Sequence, residues 1–191
     1  MNRIFETIVT VRGEAERTQV TPLGVRREAE SVVLAPFRPS LTLELLLQSR
    51  VAVINTTDDV RVFAGSIVGR RDWPLVAATR IDGVRLASSL AHEEIELVEL
   101  VDDPQRPRLR CRSVHRETHA PFQGFNRAQA AVIEAAILVS RLSILPPGKL
   151  EAELEYLKIA IDKTAGEAEL QAWSWLMEAI AAHREGRAPT R

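Results

Sequence analysis

Arg38-Pro39-Ser40-Leu41-Thr42 puts one guanidinium and two hydroxyls within five residues. That mix suits a phosphate, because a planar cation grips two oxygens as a fork and the hydroxyls add short hydrogen bonds. Apolar spacing predicts a short amphipathic helix from Ser40 to about Ser49. A helix start offers unpaired N–H groups and the positive end of a dipole, so the position suits an anion as well as the residue types do. An ordinary N-cap fits the same residues, with Ser40 or Thr42 closing the helix and Arg38 in solvent. Upstream, Thr21-Pro22-Leu23-Gly24-Val25 reads as a small-residue bend through which backbone groups can approach a flat ligand. A plain turn between strands fits it too. Asn55 ends the apolar run Val51-Ala52-Val53-Ile54, where an amide either ties down a loop or reaches a ligand.

Other chemistry is sparse. The chain has no G-x-G-x-x-G, no P-loop and no G-x-S-x-G elbow. His115 and His119 stand four apart, but on a strand running into Pro121 that spacing does not bring two rings together, so no metal site is expected. Cys111 alternates with arginines and reads as a small buried side chain. Asp58-Asp59 reads as a helix start, and Trp173 and Trp175 as packing residues.

The elements that would position these groups fall into two halves. Residues 1–122 read as short strands broken by Gly, Pro and Asp: Ile4 to Val11, Thr18 to Arg26, Val32 to Ala35 and Val51 to Asn55. A brief helix near Val60 to Val68 follows Asp58-Asp59. Ile95 to Asp102 and Arg108 to Glu117 form a hairpin around Asp103-Pro104-Gln105. Its even positions carry Glu94, Glu96 and Asp102 on one strand and Arg106, Arg108, Arg110 and Arg112 on the other, so cross-strand ion pairs are expected. An arginine rail for nucleic acid is the other reading, and it lacks interleaved aromatic residues. Residues 123–191 change to helical period. Asn126 caps a nearly all-apolar helix to about Leu145, with Gln129 completing a capping box. A second helix carries Leu150, Leu154, Leu157 and Ile161, and Thr164 to Glu167 reads as the capping box of a third.

Composition sets the outer limits. With 191 residues, 46% hydrophobic and 27% charged, the chain can bury a sizeable core. Twenty-five basic and 26 acidic side chains leave a net charge of −1, so neither nucleic acid nor an anionic membrane is an expected partner. One cysteine excludes an internal disulfide, and the absence of a long apolar run points to a cytoplasmic protein.

Taken in order, several segments resemble an uncharacterised family (a domain of unknown function) of the FMN-binding split-barrel superfamily. That family is known from methanogenic archaea and methanopterin-using bacteria. The matching pieces are Glu6 to Thr10, Pro22 to Val25, Pro36 to Thr42, Val53 to Asn55 with Asp58-Asp59, Gly124 to Ala136, and Lys163-Thr164 with Glu167. The resemblance implies an antiparallel six-stranded split barrel with a C-terminal helical layer of about three helices. It also implies a homodimer holding flavin mononucleotide (FMN) at or near the subunit interface. Arg38, Ser40 and Thr42, with Phe37 beside them, would hold the phosphate. Thr21, Pro22, Leu23, Gly24 and Val25, with Asn55, would border the ring. Asn126 and Arg127, at a helix start, are further candidates. A flavin-dependent oxidoreductase of one-carbon metabolism is the implied function. A non-enzymatic flavin-binding carrier, sensor or subunit, and a deazaflavin-binding protein, are the alternatives.

Overall fold

The computed structural model describes residues 3–13 and 17–186. Six strands close a barrel in the order β1-β2-β3-β8-β7-β4, every neighbouring pair antiparallel. They are β1 (Ile4–Arg12), β2 (Thr18–Glu28), β3 (Ser31–Leu34), β4 (Val51–Thr56), β7 (Ala91–Val101) and β8 (Arg108–Thr118). Helix α1 (Leu41–Ser49) links β3 to β4. The barrel core forms because inward positions alternate along each strand. Val9 and Val11 of β1 meet Val32 and Leu34 of β3, Ile95 and Leu97 of β7, and Leu109 and Cys111 of β8. Leu43, Leu45 and Leu46 of α1 join the same cluster. Burial pushes the Cys111 thiol up to about 12, as fits a core side chain. Strand β4 is buried at Ala52, Val53, Ile54 and Asn55 in succession, which explains its unbroken apolar run.

A small two-stranded sheet, β5 (Leu75–Ala77) and β6 (Val84–Leu86), is absent from the sequence reading because each strand is only three residues long. Side chains of the barrel hold it. Thr10 Oγ1 donates to the Val84 carbonyl, and the Leu86 N–H donates to Asn55 Oδ1 at 2.8 Å.

The structure divides into two compact units. One comprises the barrel segments up to Thr57 and Trp73–Phe122. The other comprises Asp58–Asp72 together with the segment from Gln123. The second unit contains α2 (Val60–Ile67), α3 (Arg127–Val139), α4 (Lys149–Thr164) and α5 (Glu167–Arg184). Val60 and Ala64 of α2 pack with Ala131, Val132 and Ala135 of α3 and with Ala172 and Leu176 of α5. The small residues on α3 let neighbouring helices approach closely.

The helix ends differ in detail from the sequence reading. Helix α3 stops at Val139: the N–H groups of Arg141, Leu142 and Ile144 donate to carbonyls three residues back, tightening the chain before Pro146. Asn126 caps α3 as expected, accepting from Ala128 N at 2.7 Å. Gln129 does not complete the box, because its amide donates to Glu169 instead. The box of α5 is shifted by two residues: Gly166 is the N-cap, and its N–H donates to Glu169 at 2.9 Å.

Candidate functional site

Two parts of the barrel unit concentrate polar groups. The first is the start of α1. Ser40 is its N-cap, in extended conformation, and its hydroxyl accepts from Leu43 N at 3.3 Å. Thr42 lies on the buried face of the helix. Phe37 and Arg38 are exposed just upstream. The loop between β7 and β8 holds this segment. Arg38 N donates to the Gln105 carbonyl at 2.8 Å, and Arg106 Nε donates to the Ala35 carbonyl at 2.9 Å. The Arg106 guanidinium lies 4.7 Å from the centre of the Phe37 ring, in cation–π contact. Arg38 itself pairs with Asp102 at 3.0 Å, with both side chains in solvent. The α1 start therefore carries a second cation, Arg106, which the sequence reading had placed on the cross-strand stripe.

That stripe forms only in part. Arg112 pairs with Glu96 directly across the ladder at 2.6 Å. Arg110 instead meets Glu99, an odd position, and Arg108 turns to Glu28 on β2. The cause is two register shifts in the β7–β8 ladder, between Glu94 and Ile95 and between Leu97 and Glu99. Each irregularity re-aims the side chains that follow.

The remaining sequence candidates are placed as follows. Thr21 to Val25 is not a bend but the middle of β2, paired residue by residue with Val9 to Phe5. The Leu23 carbonyl accepts from the Thr7 hydroxyl at 2.8 Å. A Cβ on Gly24 would fall 2.7 Å from Ile4 Cγ2, so any larger residue there must displace that exposed side chain. Asn55 is fully buried, and both ends of its amide are used within the barrel. Nδ2 donates to the Ile8 carbonyl at 3.0 Å, while Oδ1 accepts from Leu86 N. Asn126 also donates to the Thr164 carbonyl, and Arg127 is exposed.

The second polar concentration lies along β7 and the end of β8. A cleft of about 410 Å³ opens there, with Phe5, Val25 and Ile54 as apolar wall and Arg27, His92 and Arg116 among its polar groups. Glu93 is buried between two guanidiniums: Arg27 donates at 2.6 Å and Arg116 at 2.7 Å. Burial alone would raise the Glu93 carboxyl, but hydrogen bonds from Arg27, Ser113 and Arg116 hold it below the usual range. Glu94 is wholly inaccessible. The N–H groups of Thr79, Arg80 and Ile81 donate to its two oxygens at 2.5, 2.8 and 2.9 Å. Burial again works to raise its carboxyl, and these bonds, with one from His92, outweigh it and hold it low.

An ionised Glu94 can only accept, so His92 Nε2, 3.1 Å away, carries the proton. Its Nδ1 is then the acceptor for His119 Nε2 at 2.8 Å. Burial, then the charge of Arg85, hold the His119 imidazole below its ordinary value and so neutral at pH 7. His115 and His119 do not meet each other; each meets His92 from the neighbouring strand, with ring centres 5.7 and 5.0 Å apart. Sequence reasoning compared the wrong pair. The available signal was His92-Glu93-Glu94, three ionisable residues in a row entering an apolar strand.

Two family models cover most of the chain. One, described as the N-terminal domain of a protein of unknown function (DUF447), matches residues 5–120; the other, described as a protein of unknown function (DUF447), matches residues 126–178. Among solved structures, the FMN-bound protein MM1853 of Methanosarcina mazei superposes with a TM-score of 0.80 at 20% identity, covering 94% of this chain and 96% of that one. The 2-nitrobenzoate 2-nitroreductase NbaA of Pseudomonas fluorescens gives 0.52 at 18% identity, over 60% of this chain and 64% of that one. An FMN-binding protein of Thermus thermophilus gives 0.51 at 20% identity, over 60% and 71%. These likenesses identify the barrel as the FMN-binding split-barrel fold. No curated protein matches the sequence.

Proposed function

Because the chain belongs to the DUF447 family of proteins of unknown function, we propose its function from its site: it binds FMN and is a flavin-dependent oxidoreductase. The observation that carries this reading is the barrel with α1 set between β3 and β4. The arrangement is shared almost end to end with a protein described as FMN-bound.

The residues at the α1 start fit a phosphate. Ser40 presents its hydroxyl at the helix N-cap, and Arg38 and Arg106 stand beside it. Among the described residues the Arg38 side chain is held by an exposed ion pair with Asp102, of a kind worth about 0–1 kcal/mol, so turning to a dianion costs little. A separate cleft at the other end of β7 has an apolar wall of Val25, Ile54 and Phe5 suited to a flat ring, and a polar edge of Arg27 and Arg116. Asn55 supports that wall rather than touching the ligand, since its amide is occupied inside the barrel. Bound flavin would supply hydride or electron transfer, and the chain would bind it, orient it and shield one face from water. A homodimer with the flavin at or near the subunit interface, and a substrate from one-carbon metabolism, extend the proposal by family resemblance.

The test is the visible spectrum of the purified protein before and after FMN is added and excess removed. Retained, resolved flavin bands, with faster reduction by a nicotinamide donor, support the proposal. Retention without accelerated reduction leaves a flavin carrier or sensor. A colourless protein that fails to hold FMN but binds a deazaflavin overturns the cofactor assignment.

A further inference from the structure

Three of the chain's four histidines, His92, His115 and His119, meet beside Glu94 and Glu117. Glu94 has no capacity left for a cation, since three backbone N–H groups and His92 already occupy its oxygens. Its effect is to fix the proton of His92 on Nε2 and leave a lone pair on Nδ1. A carboxylate behind a histidine is the usual outer support of a metal-binding imidazole, setting both its tautomer and its orientation. The freed Nδ1 faces His119 Nε2 at 2.8 Å, and the Glu117 carboxylate completes a group whose ligand atoms all lie within 4.8 Å of one another. Glu117 Oε1 is 4.0 Å from His119 Nδ1, and its Oε2 is 3.5 Å from His115 Nε2. That His115 nitrogen is buried, and Glu117 is too far for a well-formed hydrogen bond to it.

We propose that His92, His119 and Glu117 bind one borderline divalent cation of the Zn²⁺ class, with Glu94 as the outer carboxylate and His115 within reach of a fourth position. Two imidazoles and one carboxylate are a donor set that Zn²⁺ and its neighbours accept, whereas Mg²⁺ and Ca²⁺ take oxygen. Metal–nitrogen bonds of about 2.0–2.1 Å in tetrahedral geometry put two ligand nitrogens roughly 3.3 Å apart, so the rings must part by about half an ångström and tilt until both lone pairs converge on the ion, while His119 moves its proton to Nδ1. The site shares His92 and Glu117 with the lining of the cleft assigned to the flavin ring, but its test is run without flavin and reads metal binding alone.

The untagged full chain is treated with chelator, dialysed and titrated with Co²⁺ and then Zn²⁺. The expected result is one Co²⁺ per chain, with visible d–d bands that Zn²⁺ abolishes. His119→Ala removes saturable binding, and Glu117→Gln weakens it tenfold or more. Glu94→Gln weakens it about 10–100-fold, the scale of a lost outer partner. His183→Ala leaves it unchanged. Glu117 is on the surface, so Glu117→Gln keeps the test interpretable should the buried variants fail to fold, as circular dichroism would report. Failure of the native chain to bind either ion saturably, or undiminished binding in a folded Glu117→Gln, overturns the site.

Discussion

The α1 start and the β7–β8 seam both gather charge, in opposite settings. At α1, Arg38, Arg106 and Ser40 sit at the surface and are held by bonds that water can replace. On the seam, Glu94 and His92 are sealed from solvent, and every side-chain polar atom is partnered, each Glu94 oxygen by two donors. The first arrangement can release its partners to a ligand at little cost. The second is part of what holds the barrel together, so changing it should affect folding and binding at once.

Four substitutions probe that contrast. Glu94→Ala leaves three buried N–H groups and His92 without their acceptor, so a loss of about 3 kcal/mol or more is expected. Urea denaturation measures it, and a loss under about 1 kcal/mol would mean the seam is as replaceable as the α1 start. Arg38→Ala should behave the other way. FMN affinity should fall by about 1.5–3 kcal/mol, the scale of charge-assisted hydrogen bonds, while folding stability moves by less than about 1 kcal/mol. Flavin-fluorescence titration beside a denaturation curve separates the two, and unchanged affinity with an intact fold removes the phosphate assignment. Ser40→Ala should cost about 1 kcal/mol as a lost N-cap, with weaker FMN binding on top; a stability loss alone would make Ser40 a cap and nothing more. Arg112→Ala, which breaks an exposed cross-strand pair with Glu96, should change the melting free energy by under about 0.5 kcal/mol.

What the sequence made legible follows the same contrast. The α1 start was readable because its groups lie within five residues and the helix period announces the cap. The main barrel strands were readable because β-branched alternation and Gly, Pro or Asp breaks are local signals. The seam was not, because His92 and His119 are 27 residues apart and meet only through the ladder. Register shifts at Glu94 and Leu97 defeat any count of even and odd positions. Thr21 to Val25 misled for another reason: proline and glycine signal a turn, yet here Gly24 serves close packing against Ile4 within a long strand.

The grouping of α2 with the C-terminal helices has a consequence for synthesis. An eight-residue helix is too short to persist alone, and α2 ends at Ile67 while α5, against which it packs, begins at Glu167. At about 5–20 residues per second the ribosome delivers that partner roughly 5–20 s later. Until then Val60 and Ala64 have no apolar surface of α5 to bury against, so the helical unit can be completed only late in translation.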